Sequence, residues 1–160
     1  MLYDENLINT IKDILTMRKQ TIAVAESVTA GHLQAALSSA VEASRYFQGG
    51  ITAYNLGQKC RHLHVDPIQA EETDCVAEHV ARRMALSVAD LFTSNYSLAI
   101  TGYASKMPEK GLNDLFAYFA IVCNGQVLLC EKITTDKERV DAQVDYTWQV
   151  LRKLGSLLGE

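Results

Sequence analysis

The sequence predicts an α/β fold: a three-layer α/β/α domain with a mixed, mostly parallel sheet and a late β-hairpin. Three observations predict it. Apolar stripes at helical spacing alternate with short apolar runs as far as Thr101, the pattern of strands connected through helices. Asn124-Gly125 then stands between two runs of strand-forming residues, a strong hairpin signal. No repeat, linker or low-complexity segment divides the 160 residues, so one domain over residues 1–160 is expected.

The elements follow in order. Asp4 to Arg18 carries Leu7, Ile8, Ile11, Ile14, Leu15 and Met17 on one helical stripe, with Asp4 or Asn6 as its cap. Thr21 to Ala25 is an apolar run short enough for a strand. The polar turn Glu26-Ser27-Val28-Thr29-Ala30-Gly31 leads into a helix from Gly31 to Ser39, capped by Ser27 or Thr29. Gly49-Gly50 releases the chain into a strand from Ile51 to Tyr54. Asn55 caps a short helix that presents Lys59 one turn in, and Asp66-Pro67 is a helix start with proline in the first helical position. A long helix is expected from Thr73 or Asp74 to Phe92, then a strand from Tyr96 to Thr101 and a polar loop from Tyr103 to Asp114. Leu115–Cys123 and Val127–Ile133 form the hairpin, and Asp136 caps a final helix through Trp148 and Leu154.

Composition excludes several classes. The chain is 48% hydrophobic and 21% charged, enough to bury a core and unlike a disordered tail. A net charge of −4 argues against nucleic acid as a partner, which calls for a basic face. No apolar run approaches the roughly 20 residues of a membrane span, and the first residues lack the parts of a signal peptide, so a cytoplasmic protein is expected. Cys60, Cys75, Cys123 and Cys130 show no paired spacing and read as free thiols. His62 and His64 have no carboxylate cluster beside them, so no metal and no cofactor are expected. Tyr46, Phe47 and Trp148 are taken as exposed apolar positions and hint at an interface.

The candidate chemistry gathers between Thr21 and Lys59. A strand that ends in a Ser/Thr/Gly turn places hydroxyls and free N–H groups at one mouth, which suits an anion or a polarised carbonyl. The stretch also supplies a serine and a lysine. Ser44 and Lys59 are fifteen residues apart across a glycine pair and a strand and can meet at one sheet edge, where a Ser–Lys dyad needs the lysine neutral, which partial burial favours; spacing alone does not single this pair out. Thr101-Gly102 ends an apolar strand as Glu26-Ser27 does, and Tyr54 can offer a phenol to the same mouth. Glu26 either accepts turn amides or caps.

These pieces resemble the C-terminal domain family of the competence/damage-inducible protein CinA. The resemblance rests on Ala25-Glu26-Ser27-Val28-Thr29-Ala30-Gly31 after the first strand, on Ser44, on Gly50-Ile51-Thr52-Ala53-Tyr54, on Lys59, and on Thr101-Gly102-Tyr103-Ala104. It spans nearly the whole chain and does not include the nucleotide-processing N-terminal domain that accompanies many relatives. It implies hydrolysis of the carboxamide of nicotinamide mononucleotide to nicotinate mononucleotide and ammonia, without a metal, in pyridine nucleotide recycling. On that reading Ser44, Lys59 and Tyr54 are catalytic. Ser27, Thr29, Gly31, Thr101, Gly102 and Arg139 bind a small nucleotide, the turn and Arg139 holding its phosphate. Self-association as a homo-oligomer is also implied. The chain departs from the family pattern at Val28, Ala30 and Leu56 and through the loop from Tyr103 to Gly111. Two alternatives to the deamidase therefore stay open: an amidase for another small substrate, or a ligand-binding or regulatory protein without turnover.

Overall fold

The structure, a computed structural model, describes residues 2–159. The first helix, α1 (Glu5–Met17), starts at Asp4, whose carboxylate accepts from the Leu7 N–H. It buries Ile8, Ile11 and Leu15, one stripe at three- and four-residue spacing. Strand β1 (Ile22–Glu26) is buried along its whole length. Helix α2 (His32–Ser38) and strand β2 (Phe47–Thr52) follow, then α3 (Leu56–Leu63), α4 (Pro67–Glu72) and α5 (Glu78–Phe92). Strand β3 (Tyr96–Gly102), the hairpin β4 (Leu115–Cys123) and β5 (Gln126–Thr135), and the 20-residue helix α6 (Arg139–Leu158) complete the chain. Among the described residues no helix is long and apolar enough to cross a membrane.

The strands form one sheet in the order β2-β1-β3-β4-β5. β1 pairs in parallel with β2 and β3, while β3–β4 and β4–β5 are antiparallel. Four of the five strands therefore point the same way. Strand alternation sorts the core into two layers. Ile22, Val24, Leu98, Ile100, Phe119 and Ile121 face α1, α2 and α6. Ala23, Ala25, Ala99 and Ala120 face α5, whose Val80, Ala81, Met84, Ala85 and Val88 settle onto that alanine surface. Large side chains on one face and small ones on the other let α5 lie close to the sheet.

Several expected boundaries shift, each for a local reason. The long helix does not begin at Thr73 or Asp74. Asp74 and Cys75 both take left-handed backbone, φ 53° and 62°, and the Cys75 N–H closes α4 on the Ala70 carbonyl. α6 begins at Arg139 because β5 runs on to Thr135 and leaves Asp136 outside the helix. Neither Ser27 nor Thr29 caps α2; Gly31 precedes it at φ 107°. Tyr46 is wholly buried, its hydroxyl donating to the Leu37 carbonyl, and Phe47 and Trp148 are half-buried. The three residues expected to mark an exposed interface thus belong mainly to the body of the protein.

Parallel pairing brings the ends of β1, β2 and β3 to one edge, the place where open sheets bind ligands. Backbone crowding fixes that edge. A Cβ on Gly102 would overlap the Ala117 side chain and lie 2.7 Å from Ala117 Cα and 2.8 Å from the Phe116 carbonyl oxygen. Those are atoms of the paired strand and cannot step aside. Gly102→Ala is expected to cost about 3 kcal/mol by overpacking, read as a lowered midpoint in urea unfolding.

Candidate active site

Two side chains meet at this edge. Ser27 directly follows β1, its N–H held by the Ile100 carbonyl at 3.1 Å. Lys59 lies in the first turns of α3, whose start is fixed by the Asn55 side chain accepting from the Gln58 N–H. Both are buried, with 6% of Ser27 and 2% of Lys59 exposed. Lys59 Nζ donates to Ser27 Oγ at 2.8 Å. Burial pushes the Lys59 ammonium below the ordinary lysine range, since desolvation disfavours the charged form; Cys75, Asp74 and Cys60 pull partly in the other direction. The pair opens onto a cleft of about 460 Å³, within the usual size range of small-molecule sites. Tyr54, Asp74, Cys75, Thr101 and Tyr103 also line it.

Glu26 organises the turn beneath Ser27. Its carboxylate is fully buried and accepts four hydrogen bonds: from Thr29 Oγ1 at 2.6 Å, Leu33 N at 2.8 Å, and Gln34 N and Nε2 at 3.0 Å each. The N–H groups that open α2 therefore serve an internal carboxylate. Of the Ser27-to-Gly31 turn expected to hold a phosphate, Ser27 and Val28 line the cleft. Thr29 points to Glu26, and Gly31 is absent from the cleft wall.

The structure does not bring Ser44 to Lys59 within the chain. Ser44 sits exposed in the short helical turn Ala43–Arg45 that enters β2, whereas Lys59 follows the exit of β2. Six extended residues span roughly 20 Å, so the two groups lie at opposite ends of the sheet. One strand carries the chain away from its starting level; only a second reversal would bring it back. The lysine's partner is Ser27, because β1 and β2 are parallel neighbours whose ends coincide: Glu26 is paired with Thr52, and Ala53 N donates to the Glu26 carbonyl at 2.9 Å.

The remaining expected residues divide. Tyr54, Thr101 and Gly102 reach the cleft, although the Thr101 hydroxyl is turned to the Cys75 carbonyl at 2.7 Å. Arg139 does not line it. That exposed residue opens α6, and its backbone N–H meets the Ala104 carbonyl. Asp74 and Cys75 were not foreseen at the mouth, because they read as the start of a helix.

Comparison with known proteins decides the family. A family model described as the CinA C-terminal domain matches residues 4–158. The chain belongs to the CinA C-terminal domain family. A CinA-like protein of Chlorobium chlorochromatii is 34% identical over 158 residues, 97% of this chain and 37% of that protein. A CinA-like protein of Picosynechococcus is 42% identical over 94 residues, 59% of this chain and 22% of that protein. The chain thus spans little more than a third of the length of such CinA relatives. The crystal structure of a competence or damage-inducible protein from Enterobacter asburiae superposes with a TM-score of 0.90 at 24% identity, covering 96% of this chain and 97% of that one. A CinA superfamily protein from Escherichia coli gives 0.86 at 25% identity, covering 96% and 89%. The CinA fold accounts for the whole architecture described above.

Proposed function

We propose that this CinA domain is a serine–lysine amidohydrolase, with Ser27 as nucleophile and Lys59 as its base. Its substrate on this reading is the carboxamide of nicotinamide mononucleotide or a near relative. The observation that supports it is the buried 2.8 Å contact between Lys59 Nζ and Ser27 Oγ at the wall of a ligand-sized cleft. The four hydrogen bonds to Glu26 hold the turn on which Ser27 stands.

The steps follow from that geometry. Neutral Lys59 takes the Ser27 proton as Oγ bonds to the carboxamide carbon. Val28 follows the nucleophile in the chain and lines the cleft, and on this reading its N–H serves as donor to the developing oxyanion. Lys59 then gives its proton to the amide nitrogen, the C–N bond breaks and ammonia leaves. Water adds to the acyl carbon while Lys59 accepts its proton. The bond to Ser27 Oγ breaks, that proton returns to the serine, and the acid is released.

Incubation with nicotinamide mononucleotide and an ammonia assay test the reading. Ammonia release that disappears in Ser27→Ala supports it, and a stabilised protein that releases none overturns it. The reaction needs Lys59 unprotonated, so kcat/KM should rise with pH to a plateau. The inflection is expected below the ordinary lysine value because burial lowers it. The sign for stability is the same. A lowered folded-state value means the unfolded chain binds more protons between the two values, so stability rises with pH across that window.

A further inference from the structure

Two consecutive left-handed residues stand at the wall of the cleft. Asp74 and Cys75, at φ 53° and 62°, make the turn after α4, and both line the cleft with Lys59. The end of β3 grips that turn twice. Thr101 Oγ1 donates to the Cys75 carbonyl at 2.7 Å, and two residues on, Tyr103 Oη donates to Asp74 Oδ2 at 3.2 Å. Tyr103 is a rigid post. Its N–H donates to the Phe116 carbonyl at 3.0 Å, its own carbonyl accepts from Tyr146 Oη at 2.8 Å, and its ring sits edge-on to Phe116 with centroids 5.3 Å apart. Burial, and then the charge of Asp74, push its phenol up to about 12, so it stays a donor to that carboxylate. Asp74 is exposed, and the bond to Tyr103 fixes the direction of its side chain.

Lys59 faces this turn without a countercharge. Among the described residues no carboxylate forms an ion pair with it, and Asp74 is the one carboxylate among those lining the cleft. A buried ammonium so placed draws any carboxylate within reach. The other titratable groups that face it are Cys60 on its own helix, Cys75 beside Asp74, Tyr54 after β2 and Tyr103 after β3. We propose that Tyr103 is a positioning residue: its hydroxyl holds the Asp74 carboxylate away from Lys59, so that the amine stays free to serve Ser27. This rests on reading Lys59 as the base and adds what guards that base. Without the phenol, Asp74 turns towards Lys59 and pairs with it. An opposite charge at ion-pair distance favours the ammonium, so the base becomes available only at higher pH.

Protein carrying isotope-labelled lysine is titrated by NMR, the Lys59 Cε signal being identified by its loss in Lys59→Met. Tyr103→Phe keeps the ring against Phe116 and removes only the hydroxyl; Lys59 should then titrate at higher pH than in the unaltered protein. Asp74→Asn alone should not raise it, and asparagine tolerates the left-handed backbone at that position. Tyr103→Phe combined with Asp74→Asn should titrate as Asp74→Asn does. On the amidase reading, kcat/KM on the rising limb of the pH profile falls about tenfold in Tyr103→Phe. That loss shrinks as pH rises and vanishes in the Asp74→Asn background, whereas a merely structural role for Tyr103 would lower activity equally at every pH. A Lys59 titration that Tyr103→Phe leaves in place or lowers overturns the inference, and so does a rise that persists without Asp74. The expected rise without ammonia release from the unaltered protein would sink the amidase reading and leave this one standing; ammonia release with an unmoved titration would do the reverse.

Discussion

Ser27→Ala is expected to lower kcat for carboxamide hydrolysis by about 10⁴-fold or more, the usual loss when an activated nucleophile is removed. The fold should survive, because the side chain gives up one hydroxyl whose partner, Lys59, has its charged form disfavoured by burial. Ser44→Ala is the matched control. Its hydroxyl is exposed at the entrance of β2, so turnover should not change. Lys59→Met should lose activity on the same scale as Ser27→Ala. Lys59→Arg should not restore it, since a guanidinium stays charged and cannot accept the serine proton. Steady-state ammonia production across these four variants gives the reading directly. A Ser44→Ala loss as large as that of Ser27→Ala would mean that the wrong serine has been assigned.

Glu26→Ala is expected to be the most destabilising single change at the site, by about 3–5 kcal/mol, the scale seen when one partner of a buried charged network is removed. Four donors lose their acceptor together: one hydroxyl, two backbone N–H groups at the start of α2, and the Gln34 amide. For a chain of this length that corresponds to a fall in Tm of about 10 °C. Glu26→Gln keeps one oxygen acceptor and turns an amide NH₂ towards donors, so its loss should be about half as large. Activity should fall further than stability explains, because Ser27 stands on the turn that Glu26 holds. Thermal unfolding and kcat measured on the same samples separate the two effects. A Glu26→Ala protein with unchanged Tm would show that the network adds nothing to the fold.

How much of this was legible in the sequence depended on whether a signal was local. The Asp4 cap, the Asn55 cap that sets Lys59 one turn into α3, the Asp66-Pro67 start and the Asn124-Gly125 hairpin are local, and all four stand where the residues placed them. Left-handed backbone at Asp74 and Cys75 carried no such signal, because neither residue is glycine. The sequence therefore predicts an early helix start at Thr73 or Asp74, which assigns the mouth residue Asp74 to a helix end.

The Ser27–Lys59 pairing is non-local and needed the strand order. The resemblance assigns the nucleophile's role to Ser44, fifteen residues from Lys59, and a lining role to Ser27, thirty-two away. Parallel adjacency of β1 and β2 reverses that preference, since residues just past two parallel neighbours share an edge whatever separates them along the chain. A rule that pairs strand ends with strand ends would have found Ser27. The Glu26 network escaped for a related reason: the turn resembled an anion cradle, and the anion proved to be its own preceding residue.

The central claim is that the Ser27 hydroxyl is the group made nucleophilic by an uncharged Lys59 amine. Covalent labelling with a serine-directed fluorophosphonate, followed by mass mapping of the modified peptide, tests it most directly. The account predicts a single adduct on Ser27, formed faster as pH rises and lost in Lys59→Met. An adduct on Ser44, or labelling of Ser27 that is indifferent to Lys59→Met, would contradict it.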